Sequence, residues 1–161
     1  MRNLITGNKT EAQIQAMREG GKILARILRE ITEFAEAGKT GLEIDEFARK
    51  KIAEYGAKSA YTTPEVNFPG VVCVSVNDCI VHGAPNDTPF EKGDVVKFDM
   101  VIEYKKMLVD SCVTTVIGEE PRGAVKMLLN ETKKALSAGI SVVKPGCRVG
   151  DIGSSVKKKK K

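Results

Sequence analysis

Two aspartates lie inside otherwise apolar, strand-like runs, and they constrain the fold more than any other feature. The runs are Val95 to Ile102, which contains Asp99, and Met107 to Val113, which contains Asp110. Aspartate is depleted from strands, and burying a carboxylate without partners is costly. Two such residues so close together point to a cation that offsets the cost. If the runs form a hairpin turning at Lys105-Lys106, Tyr104 pairs with Met107 and Asp99 lies opposite Cys112. Strand side chains alternate faces, so Asp110 shares the face of Asp99. Diagonal partners of this kind have Cα atoms roughly 7–8 Å apart, within joint reach of one or two divalent ions. A pair of solvated surface aspartates is the alternative, and spacing alone leaves it open.

At 161 residues and 42% hydrophobic, the chain is the size of one domain with a real core. No apolar run approaches the roughly 18 residues of a membrane span. Met1 to Leu4 leads into no apolar signal core, so a cytoplasmic protein without membrane partners is expected. Of 26 basic residues against 21 acidic ones, five are Lys157 to Lys161, and the remainder is neutral. The excess positive charge is therefore no argument for a nucleic-acid partner. We read residues 157–161 as an added basic tail and 1–156 as the domain. The cysteines Cys73, Cys79, Cys112 and Cys147 form no Cys-x-x-Cys pair, and His82 is the single histidine. That gives a structural zinc site little support and leaves the cysteines as small buried hydrophobes.

Helical spacing of Ile14, Met17, Ile23, Leu24, Ile27, Leu28 and Ile31 predicts a long helix starting at Thr10 and stopped by Gly38. Gly20-Gly21 within it suits close packing on a sheet. A second helix is predicted over Glu43 to Tyr55, stopped by Gly56, with Ile44, Phe47, Ala48 and Ile52 inward. The period then becomes two. Val72 to Val76 and Cys79 to His82 read as short strands joined by Asn77-Asp78, and the aspartate hairpin follows. A third helix is predicted over Arg122 to Ala138, then an extended link over Gly139 to Pro145, with a new helix beginning near Val149. Aligning the two helical regions puts Leu28 on Leu136 and Ile44 on Ile152, a faint repeat in which a second unit begins.

The stretch Phe68-Pro69-Gly70-Val71-Val72-Cys73-Val74-Ser75-Val76-Asn77, then His82-Gly83-Ala84-Pro85, Lys92-Gly93-Asp94-Val95-Val96-Lys97-Phe98-Asp99 and Asp110, closely resembles type I methionine aminopeptidase. The resemblance covers nearly the whole chain to Val156. It implies a half pita-bread of class α+β, a mainly antiparallel sheet with helices on one face and both aspartates on the other. Residues 1–120 would form the first half and 121–156 the start of the second. The family removes the initiator methionine from nascent peptides with a dinuclear metal site. By resemblance, Asp99 chelates one metal, Asp110 bridges both, and His82 contacts the scissile amide from outside the metal shell. Phe68 and Cys73 match the pocket for the methionine side chain. Without the resemblance, His82 would read as a structural or surface residue, and Phe68 and Cys73 as core.

The resemblance also implies one histidine and two glutamates as further ligands, from a C-terminal half. His82 is already assigned, and Glu119, Glu120 and Glu131 fall in a connection and a helix. The implied cofactors are divalent ions, Mn, Co, Fe or Zn, held weakly by two carboxylates. The resulting expectation is an aminopeptidase-like half with little or no activity as a monomer. Two alternatives are a homodimer whose paired carboxylates rebuild a metal site, and a non-catalytic binding module. Retention of both aspartates argues against the module.

Overall fold

The computed structural model describes residues 8–158 and divides the chain into two compact units, Met1–Glu119 and Glu120–Lys161. The first unit contains α1 (Glu11–Phe34), α2 (Gly41–Glu54), β1 (Lys58–Ser59), β2 (Cys73–Val76), β3 (Val95–Tyr104) and β4 (Met107–Val116). Both helices begin with reciprocal caps. Thr10 accepts from the Gln13 N–H while the Gln13 side chain accepts from the Thr10 N–H, and Thr40 and Glu43 repeat the arrangement. The first helix ends at Phe34, before Gly38, which instead adopts φ +89° in the turn beyond.

All four strands belong to one antiparallel sheet. β3 pairs on one side with β4 along its whole length, and on the other with β2 and β1. On β3 the even-numbered residues Val96, Phe98, Met100 and Ile102 are fully buried. They pack with Leu24, Ile27 and Ile31 of α1 and Ile44 and Ala48 of α2, so both helices cover one sheet face. Gly20 belongs to this contact: a Cβ there would stand 3.2 Å from Tyr104 Cβ and 3.3 Å from a Val109 methyl. Gly21 meets nothing comparable.

The segment Cys79 to His82 is not a strand. The partner of β2 is β3, in the register Cys73↔Asp99, Val74↔Phe98, Ser75↔Lys97 and Val76↔Val96. Asn77 turns the chain with φ +48°, and its side chain accepts from the Val95 N–H at 2.9 Å and donates to Asp94 at 2.8 Å. The turn is thereby anchored to β3, and Ile80 and Val81 are left 82% and 60% exposed.

The second unit holds α3 (Gly123–Ser141) and α4 (Val149–Lys158). α3 runs three residues beyond the expected Ala138, through Gly139, so the predicted extended link begins later. A Cβ on Gly139 would stand 3.1 Å from a Val156 methyl, so glycine serves packing there rather than termination. Of the four cysteines, all free, only Cys73 is buried; Cys112 is exposed. No helix among the described residues is long and apolar enough to cross a membrane.

Candidate active site

The hairpin turns through Lys105 and Lys106, both at positive φ (48° and 64°), and closes with Tyr104 opposite Met107. Asp99 therefore faces Cys112, as the sequence predicted, and on its other side pairs with Cys73. Cys73, Asp99 and Cys112 form a row across three strands, on the face away from the helices. Asp110, two residues before Cys112, stands on the same face.

Asp99 is half-buried and Asp110 exposed. Burial, then the Asp110 charge, pushes the Asp99 carboxyl above its ordinary value of 3.8, and the nearby His82 draws it partly back. The surrounding groups respond in the same sense. Burial, followed by neighbours that include Asp99 and Asp110, raises Tyr61, Cys73 and Cys112. Their neutral forms are favoured first because burial penalises their ionised forms and then because the two aspartates concentrate negative charge nearby.

The remaining residues converge to different degrees. His82 is exposed, at φ +57°, close enough to act on the Asp99 charge. Phe68 is half-buried and meets Tyr61 edge-on, with ring centroids 5.5 Å apart. Tyr61 in turn neighbours Cys73, so Phe68 joins the group through a tyrosine that the sequence reading passed over. Its only sequence signal was an aromatic in a polar loop a few residues before Phe68. Asp45 was also missed. Its Oδ1 accepts from the Val71 and Val72 N–H groups at 2.5 and 3.3 Å, and its Oδ2 from Arg49 Nε at 2.7 Å. The i,i+4 pairing with Arg49 was legible; the backbone contact that leads into β2 was not.

Among the described residues, no group of three or more His, Cys, Asp or Glu side chains is placed to hold a metal ion. The donor chemistry of the aspartate pair nevertheless suits a divalent cation. Burial and then the Asp110 charge penalise the ionised Asp99 carboxylate, and a cation between two hard carboxylates offsets that penalty.

The raised Asp99 value has a testable sign. Between the ordinary value and the raised folded value, the native state holds more protons than the unfolded chain. Asp99 should favour folding most below pH 3.8 and lose that contribution as pH rises through its folded value. Urea unfolding of wild type and Asp99→Asn from about pH 3 to about pH 7 reads this as a growing relative advantage of the variant. A pH-independent difference would contradict it.

Residues 15–159 match metallopeptidase family M24. The methionine aminopeptidase of Mycoplasma capricolum is 34% identical over 148 residues, covering 92% of this chain and 59% of the relative. That of Aquifex aeolicus is 33% identical over 153 residues, with 91% and 59% covered. The crystal structure of methionine aminopeptidase from Rickettsia prowazekii superposes with a TM-score of 0.90 at 29% identity, covering 95% of this chain and 61% of that one. Prolidase from Pyrococcus furiosus, at 18% identity and a TM-score of 0.80, shares the fold. The chain thus spans 59% of the length of these curated relatives. Its sheet, its helices and nearly all of its sequence place it on the pita-bread fold, and it belongs to metallopeptidase family M24.

Proposed function

We propose that this chain carries the carboxylate half of a methionine aminopeptidase-type site. Residues 1–120 supply the first pita-bread half, and 121–156 begin the second. The observation that carries the reading is the Asp99–Asp110 pair on the open face of the β3–β4 hairpin, with the Asp99 carboxyl raised by burial and then by the Asp110 charge. In this reading Asp99 and Asp110 hold a divalent ion, Mn, Co, Fe or Zn, weakly. Such an ion supplies Lewis-acid polarisation of a peptide carbonyl and a more acidic water. His82 contacts the amide beside it. Phe68 and Cys73, joined through Tyr61, offer an apolar wall to the side chain of an N-terminal methionine. The setting is cytoplasmic, and the substrates are peptides with N-terminal methionine.

A second reading, association of two copies, is favoured by β4. Among the described residues this ten-residue strand pairs only with β3, and Asp110 is its one charged residue. A free strand edge with a single charge along ten residues favours pairing with another chain.

A ligand that binds only the native state raises stability with its concentration, by about 2.7 kcal/mol at a hundred times Kd. Thermal unfolding with increasing Mn(II) should therefore shift upward for the wild type and stay fixed for Asp99→Ala/Asp110→Ala. Equal shifts in both proteins would overturn the assignment.

A further inference from the structure

His82 carries a backbone conformation that needs an explanation. Its φ of +57° lies in the left-handed region, which side chains with a Cβ adopt at a cost and which persists only where the surroundings hold it. The surroundings are three contacts with β2, all made through the next residue. The Gly83 N–H donates to Ser75 Oγ at 3.0 Å. The Gly83 carbonyl accepts from the Val74 N–H at 2.8 Å. The two backbones also touch: a Cβ on Gly83 would lie 2.2 Å from the Val74 oxygen and 2.9 Å from Ser75 Cα. No side chain fits there, so glycine is required by the close approach.

Ser75 is the unusual member. It is 1% exposed, in a strand whose neighbours Cys73 and Val74 are buried and apolar. A hydroxyl in that position is warranted when it satisfies a polar partner, and here the partner is the Gly83 amide. The same strand pairs Cys73 with Asp99. β2 is thus bonded at one point to the loop that carries His82 and at another to the strand that carries Asp99.

We propose that Ser75 is a positioning residue for His82: its buried hydroxyl, with the Val74 amide, clamps Gly83 at both its N–H and its carbonyl onto β2 and so fixes the imidazole of the preceding His82 relative to Asp99. The clamp itself is structural; its use in amide contact rests on the function proposed above. Ser75 touches no substrate in this account and acts only through the loop.

His82 is the single histidine, so its imidazole signals are unambiguous in a proton NMR spectrum. In Ser75→Ala, the Gly83 amide should exchange with deuterium about fivefold to tenfold faster, the loss of one hydrogen bond. The Phe98 and Met100 amides of β3 should keep their rates, and the His82 signals should shift. Gly83→Ala, which leaves the hydroxyl in place, should move the same His82 signals by steric displacement of the loop. Added Mn(II) should broaden the His82 signals of the wild type more than those of Ser75→Ala. If Mn(II) broadens neither, the metal reading fails while amide exchange still decides the clamp. Unchanged Gly83 exchange and unchanged His82 signals in Ser75→Ala would overturn the proposal, as would equal acceleration of the Phe98 and Met100 amides.

Discussion

Assayed alone with Mn(II) or Co(II), the 161-residue chain is expected to release methionine from Met-Ala-Ser at least about a thousandfold more slowly than a full-length methionine aminopeptidase assayed beside it. The resemblance implies five metal ligands, of which Asp99 and Asp110 are present. The histidine has no candidate, because His82 is the only one in the sequence and the proposed function assigns it to amide contact. Of the three glutamates that follow the hairpin, Glu119, Glu120 and Glu131, two are ion-paired. Glu119 faces Lys92 at 3.9 Å, and Glu131 binds Lys134 at 2.7 Å, one turn along α3. Groups that act as a unit fail together when several are missing. Release of methionine at a comparable rate, abolished by Asp110→Ala, would contradict this and favour a site rebuilt between two copies.

The second large effect concerns folding. Asp45→Ala is expected to destabilise the chain by about 3 kcal/mol. Asp45 is 6% exposed and accepts from the Val71 and Val72 amides, themselves 3% and 0% exposed. Alanine strands both amides in a water-free position, each at a cost of about 1–3 kcal/mol. The same carboxylate presses on Gly70, where a Cβ would come within 2.5 Å of Oδ1. It therefore ties α2 to the segment entering β2, the strand that carries Cys73 and Ser75. Arg49→Ala provides the control. The Arg49 side chain is 46% exposed, and the loss should stay below about 1 kcal/mol. Urea denaturation separates the two, and an Asp45→Ala cost no larger than that of Arg49→Ala would refute the argument.

The parts of the fold that were legible in sequence are those governed by local periodicity. The period of two in β3 and the Lys105-Lys106 turn set the register of the hairpin and hence the shared face of Asp99 and Asp110. Thr10 marked the start of the first helix, whereas the second starts at Gly41, two residues before the expected Glu43, because Thr40 caps it. Illegible features were those decided by partners distant in sequence. Cys79 to His82 has the composition of a strand, yet the edge of β2 is taken by β3, and Asn77 is held by Asp94 and Val95. Gly139 has the composition of a helix stop, but packing against Val156 keeps the helix going. At the site, Asp99 and Asp110 were conspicuous because carboxylates are out of place in strands. Tyr61 and Ser75 were not, because nothing in their own segments reveals the Cys73 thiol or the Gly83 amide that each one meets.

The central claim is that Asp99 and Asp110 together hold a divalent ion, and isothermal titration calorimetry with Mn(II) tests it most directly. The wild type should show saturable binding of one or two ions per carboxylate pair, with affinity in the weak range set by two carboxylates. Asp99→Ala/Asp110→Ala should show none, while retaining a cooperative urea transition that proves it folded. Mn(II) affinity unchanged in the folded double variant would contradict the account.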